Sequence, residues 1–155
     1  RYGTEALSTL RIEMGHVAGS ELDGRTIPYD ASLEGLVSKK KDFIGKRSLN
    51  RSAFTSTDRE KLVGVVPIDK TTSIPEGSYI VKDPKAKLPN PKLGHVSASC
   101  WSVEYDNPFS LAIIKDGKNM IGQKLFAMSP LKNKTIPVEI VSSHYVDPEG
   151  KRVRS

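Results

Sequence analysis

The side chains through which this chain could do chemistry are few, and spacing limits what each can do. His16, His95 and His144 lie far apart and show none of the short spacings that put two donors on one metal ion. No metal centre is expected from them. His95 follows Gly94 in an apolar run, where a histidine is expected to be a hydrogen-bonded structural residue. The single cysteine, Cys100, has no partner for an internal disulfide and cannot supply the several thiolates of a structural zinc site. With no activating group beside it and Trp101 next in sequence, it reads as a small buried hydrophobe rather than a nucleophile. Gly15, Gly19 and Gly24 are too widely spaced, and follow a helical pattern instead of a strand, for a dinucleotide fingerprint or a P-loop.

Three further groups each carry two readings. Trp101 and Tyr105 flank a loop over 102–108 that contains Glu104 and Asp106. Aromatics at such a strand end either wall a pocket for a planar ligand or close the end of a barrel. Arg152 and Arg154 form either a fraying basic tail or a clamp for a carboxylate, to which a guanidinium can donate two parallel hydrogen bonds. Lys39, Lys40, Lys41, Lys46 and Arg47 either attract an anion or make a solvated face. Aromatics are 6% of the chain and do not alternate with these cations, which argues against a stacking platform for single-stranded nucleic acid.

The elements that must position these residues follow from composition and period. The chain has 155 residues, a net charge of +6, 37% hydrophobic and 27% charged side chains, which are ordinary globular values. That length allows one domain, or one small domain with part of another. No apolar run approaches the roughly 20 residues of a membrane-spanning helix, and no secretion signal is visible. One cysteine fits a reducing cytoplasm. The chain starts at Arg1, and a helical pattern begins almost at once without a cap, so a piece of a longer protein is expected.

Ala6, Leu7, Leu10 and Met14 recur at helical spacing before Gly15, predicting a helix from Glu5. A turn-rich passage follows to Pro28, then a short strand or buried turn at Leu33, Leu36 and Val37. Phe43, Ile44, Leu49 and Phe54 suggest a short helix packed on one side. After about Asp58 the texture changes to short apolar runs separated by turn residues such as Pro89-Asn90-Pro91 and Asp116-Gly117. Strands are predicted near 62–66, 79–81, 93–99, 111–114, 124–127 and 135–141, making the second half a small antiparallel β domain.

Several segments then stand in a recognisable order. Leu10-Arg11-Ile12-Glu13-Met14-Gly15 is followed by Asp23, Thr26, Pro28 and Asp30-Ala31-Ser32-Leu33, and then by Lys41-Asp42-Phe43-Ile44-Gly45-Lys46-Arg47-Ser48-Leu49. Downstream come Lys61-Leu62-Val63-Gly64, Pro75-Glu76-Gly77, Gly94-His95-Val96-Ser97-Ala98-Ser99, Gly122-Gln123-Lys124-Leu125 and Tyr145-Val146-Asp147-Pro148-Glu149-Gly150. Over nearly the whole chain this series resembles the folate-dependent aminomethyltransferase superfamily, the glycine-cleavage T-protein-like proteins. Within it, the 11–16 and 38–49 segments and the Asp-Pro-Glu-Gly ending are most similar to the α-subunit branch of heterotetrameric sarcosine oxidases. Two departures stand out. Leu7-Ser8 occupies the place of an Arg-Asp pair typical of the transferases, and Ser102-Val103 with Asp106 replaces a Ser-Pro and a Gly common in the family's loop.

The resemblance implies an α+β chain. The end of an aminomethyltransferase-type folate-binding domain would occupy 1–57, and an antiparallel β-barrel domain 58–155. It implies a share in binding tetrahydrofolate and in one-carbon transfer during oxidative demethylation of sarcosine to glycine. FAD, FMN and NAD would sit elsewhere in the assembly. Its partners would be other sarcosine oxidase subunits and the upstream part of the same subunit, with no nucleic acid and no membrane. The acidic residue assisting the folate chemistry would lie upstream, so no catalytic residue is expected here and the isolated chain should not turn over sarcosine. Glu13, Trp101, Tyr105 and Arg152 are the expected folate wall, the aromatics packing on the rings and Arg152 attracting the glutamate tail. The rival readings are a dimethylglycine dehydrogenase or glycine-cleavage aminomethyltransferase homologue, and a noncatalytic RNA-binding barrel.

Overall fold

All six predicted runs form strands: β1 (Glu60–Pro67), β2 (Tyr79–Val81), β3 (Gly94–Ser102), β4 (Asn107–Lys115), β5 (Lys124–Ser129) and β6 (Lys134–Val141). The computed structural model describes residues 1–86, 89, 91–152 and 154, so Asn90 of the Pro89-Asn90-Pro91 separator lies outside the described residues. The strands close into a barrel in the order β1-β4-β3-β2-β5-β6, every neighbouring pair antiparallel.

Two apolar clusters sit on opposite sides of this barrel wall. Val65, Ile80, Val96, Ile114, Val138 and Ile140 are among the side chains filling the interior. Ile12, Leu62, Ala98, Phe109 and Leu111 form the second cluster, on the outer face of β1, β3 and β4. β6 alternates buried and more exposed residues because its outer face meets water, whereas β1 and β4 carry runs of buried residues because both their faces are covered. β3 serves both clusters. Val96 and Ala98 would share a face in a regular strand, but a register shift between them leaves Val96 inside and Ala98 outside.

The outer cover is α1 (Thr4–Glu13), which packs against β3 and β4. It starts at Gly3 with no side-chain cap. Its buried residues are Ile12 and Glu13, while Leu7 and Leu10 remain exposed, so the stripe that marks the helix in sequence is not the face that meets the barrel. Gly15 then turns the chain with φ +69°, and a Cβ there would lie 2.5 Å from the Ser143 carbonyl oxygen. Only glycine permits both that turn and that approach.

The helix expected around Phe43–Phe54 is instead two single turns, α2 (Lys46–Leu49) and α3 (Ser52–Thr55), broken at Asn50-Arg51. Ile44 is fully exposed, so that segment does not bury its apolar side within this chain. Leu36 likewise sits exposed on a 3₁₀ turn at Glu34–Leu36. This stretch is tied to the barrel by Asp30. Its buried carboxylate accepts hydrogen bonds from Arg59 Nε at 3.1 Å and Lys61 Nζ at 3.0 Å, and its carbonyl accepts Leu62 N–H at 2.7 Å. Burial raises the Asp30 pKa, but the bonds from Arg59 and Lys61 outweigh that and leave it below the ordinary value.

Candidate ligand-binding hairpin

β3 and β4 extend beyond the predicted strands, and their extra length forms a hairpin with a turn at 103–106. Polar positions concealed this extension. Ser99 pairs with Ser110 through their hydroxyls at 2.9 Å, and Ser102 pairs with Asn107 at the end of the ladder. The turn closes with Asp106 in the left-handed region at φ +49°, a conformation aspartate tolerates better than most residues. Asp106 Oδ1 accepts the Trp101 indole N–H at 3.1 Å.

Glu13 holds this hairpin. Its side chain is buried, and Oε1 accepts Ser102 Oγ–H at 2.6 Å and Val103 N–H at 3.0 Å. Its backbone carbonyl accepts Tyr145 N–H at 3.1 Å and Val146 N–H at 3.0 Å. The end of α1, the hairpin and the segment after β6 therefore meet at one residue. Tyr145 completes the junction. Its ring stacks on Phe109 with centroids 4.3 Å apart and planes 5° apart, touches Tyr105 at 4.7 Å, and its hydroxyl pairs with the Asn107 amide at 3.1 Å. Phe109 in turn fills a slot over Gly64, where a Cβ would come within 2.7 Å of its ring.

Arg152 reaches the same hairpin from the other end of the chain. The Asp147 carboxylate accepts Lys151 N–H at 2.9 Å and Arg152 N–H at 3.0 Å, turning the chain back. The Arg152 guanidinium then donates from Nη2 to Glu104 Oε1 at 2.5 Å, which holds the Glu104 carboxyl below its usual pKa. Arg152 is thus already engaged with a carboxylate of the chain itself.

All four expected wall residues border this hairpin, but they do not make one flat wall. Cys100 packs with Phe109 and Tyr145 on the outer face of the sheet, so the alternation of β3 sends Trp101 to the opposite face. Tyr105 leans on Tyr145, on the Phe109 side. No single planar ring can stack on both Trp101 and Tyr105. Both are about half exposed, at 46% and 50%. Tyr145, Asn107 and Glu104 carry the junction yet had no spacing signal in the sequence; Tyr145 lay in the 145–150 run that carried the resemblance, and Glu104 stood out only as a member of the 102–108 loop.

The remaining chemistry-bearing residues stay apart from this junction. Burial, with the Glu13 charge behind it, pushes the Cys100 thiol up to about 12, so it is protonated and inert at neutral pH. The His95 ring makes no hydrogen bond among the described residues, contrary to the expectation of a hydrogen-bonded structural histidine, and lies against a cavity instead. Lys46 donates to the Lys41 carbonyl at 2.8 Å and so stitches the basic loop to itself. Among the described residues no cluster of three or more His, Cys, Asp or Glu could hold a metal ion, and no helix is long and apolar enough to cross a membrane.

The barrel and hairpin coincide with a known domain: the glycine cleavage T-protein C-terminal barrel domain matches residues 60–147. Sarcosine oxidase subunit alpha of Rhizobium meliloti (strain 1021) is 38% identical over 154 residues, covering 98% of this chain and 16% of that protein. Its counterpart from Corynebacterium sp. (strain P-1) is also 38% identical, covering 97% of this chain. The chain spans 16% of the length of each of these two relatives. The crystal structure of glycine cleavage system aminomethyltransferase T from Bartonella henselae shares the fold, with a TM-score of 0.73 at 22% identity, covering 92% of this chain and 38% of that one. With its closed six-stranded barrel and a domain match over more than half its length, the chain belongs to the glycine cleavage T-protein C-terminal barrel domain family.

Proposed function

We propose that this chain is part of a sarcosine oxidase α subunit, in which it contributes one side of a tetrahydrofolate site serving the oxidative demethylation of sarcosine to glycine. The observation that carries the reading is likeness to sarcosine oxidase α subunits over nearly the whole chain, hairpin, α1 and C-terminal turn included. Residues 1–57 act as the end of a folate-binding domain and 58–155 as its barrel domain. FAD, FMN and NAD belong to other parts of a cytoplasmic multisubunit assembly, and the partners of this chain are those parts.

Tetrahydrofolate, when bound, supplies the nitrogens that take up the released one-carbon unit. The residues present suit such a ligand, which combines aromatic rings with a carboxylate tail. Tyr105 offers a half-exposed ring, and the residue before it in the turn, Glu104, is a carboxylate that Arg152 already grips. Glu13 acts by positioning: with its carboxylate occupied by Ser102 and Val103, it fixes where the hairpin stands. Trp101, on the other face, packs against a second edge of the ligand. Binding requires the tail carboxylate to displace Glu104 from Arg152, an exchange of one exposed ion pair for another that costs little.

The test is a titration with a stable reduced folate followed through the emission of Trp101, the only tryptophan, with single-stranded RNA as parallel titrant. We expect a saturable change specific to folate and weakened in Arg152→Ala. A response to RNA alone, falling steeply with salt, would overturn the reading in favour of a binding barrel. So would full-length subunit whose calorimetric folate affinity is zero.

A further inference from the structure

The stretch 34–55 is folded, yet none of its residues is buried. It holds the 3₁₀ turn at Glu34–Leu36 and the single turns α2 and α3. Local bonds shape the loop between them: the Ser38 hydroxyl accepts Lys41 N–H at 2.9 Å, and Lys46 Nζ donates to the Lys41 carbonyl at 2.8 Å. Helices shorter than about 12–15 residues are marginal alone in water, and tertiary packing supplies their stability. Here one side of that packing is missing. Leu36 is 80% exposed, Phe43 38% and Ile44 fully exposed. Single exposed apolar side chains are ordinary, but these three stand close together on a stretch with no buried member, which marks a face made to be covered.

The face is also basic. Between Glu34 and Arg51 stand the cations Lys39, Lys40, Lys41, Lys46, Arg47 and Arg51, against the acids Glu34 and Asp42. Glu34 is taken by Lys118. Among the described residues none of those six cations forms an ion pair. The three consecutive lysines edge a groove of about 840 Å³ floored by Tyr29, Val37, Phe43 and Leu49. An apolar centre inside a charged rim is the anatomy of a protein interface. A nucleic acid would use the cations but not the aliphatic side chains, since its bases stack on aromatic faces.

We propose that residues 34–51 are a docking surface for another part of the same polypeptide, which covers Leu36, Phe43 and Ile44 with apolar side chains and meets Lys39, Lys40 and Lys41 with carboxylates. The same polypeptide is the source because apolar exposure of this degree suits a permanent contact, and because in the sarcosine oxidase α subunits this length of chain is 16% of the whole. The inference rests on the reading of this chain as part of a longer subunit, and on no feature of the folate wall.

The test uses the full-length subunit, prepared as a mixture of unlabelled and isotope-labelled protein, with a carbodiimide joining lysine amines to carboxylates in contact with them. Mass spectrometry then reads the peptides linked to Lys39, Lys40 and Lys41. We expect links to acidic residues elsewhere in the same polypeptide, each within one isotopic species. Links that mix the isotopes place a second copy on the surface, links to a different subunit place a separate chain there, and lysines that stay unlinked leave it bare; each of these overturns the proposal. Hydrogen exchange supplies a second readout at Lys46 and Leu49, whose N–H groups close single turns onto Phe43 and Gly45. In the full-length subunit Ile44→Asp should speed exchange there by about tenfold or more, with β1 unchanged and Ile44→Leu like the wild type. Equal exchange in all three proteins would overturn the proposal, as would RNA binding that falls steeply with salt and is lost when Lys39, Lys40 and Lys41 are each replaced by Gln. The two readings fail separately: the expected links in a subunit inactive on sarcosine would end the sarcosine reading and keep this one.

Discussion

The barrel interior and the hairpin junction are held together by different physics. The interior is a closed ring of backbone hydrogen bonds around interdigitated aliphatic side chains, so its stability is spread over many small contributions. The junction hangs on a few directed contacts, with one carboxylate, Glu13, joining three pieces of chain, and one ring, Tyr145, between two others. Distributed packing makes a scaffold that tolerates change, and concentrated polar contacts place a small surface accurately at the risk of losing it to one substitution.

That contrast can be tested from its strongest expected effect downwards. Phe109→Ala removes a ring shared by the outer cluster and the Tyr145 stack, and should cost about 3–5 kcal/mol in urea unfolding. Ile140→Ala, inside the barrel, should cost about 2–5 kcal/mol while leaving the environment of Trp101 unchanged. Glu13→Ala leaves Ser102 Oγ and Val103 N without their acceptor and should cost about 1–3 kcal/mol.

Acid should weaken the Asp30 tie. Its folded pKa lies below the unfolded value of about 3.9, so its stabilisation is fully present above that value and is lost as pH falls through the folded pKa. We expect the urea midpoint to fall below about pH 4, with a shallower fall in Asp30→Asn. At the small end, Leu7→Ala on the exposed face of α1 should change stability by less than about 0.5 kcal/mol. Glu104→Gln should leave the melting temperature unmoved while removing the ion pair between this position and Arg152.

The division also explains what could be read from the sequence. Alternating aliphatic runs reveal barrel strands because each strand buries one face at a time, so all six were visible. The ends of β3 and β4 were not, because Ser102, Asn107 and Ser110 pair through side-chain polar groups and backbone, which look like loop residues in a linear pattern. The bulge between Val96 and Ala98 left no mark in residue type, yet it decides that Ala98 and Cys100 join the outer cluster while Val96 faces the interior. α1 was visible, but its buried face was misjudged: Leu7 and Leu10 set the period while Ile12 and Glu13 make the contact. Glu13 was singled out only by resemblance, and its partners, Ser102 and Val103, lie some ninety residues away, beyond any local pattern.

The most direct measurement is amide hydrogen exchange at Val103 in the wild-type chain and in Glu13→Ala. Val103 should be protected in the wild type through its bond to Glu13 and should lose about tenfold or more of that protection in the variant, beyond any loss at Val63 in the barrel wall. An unprotected Val103 in the wild type, or equal losses at both amides, would contradict the assignment of the hairpin's placement to Glu13.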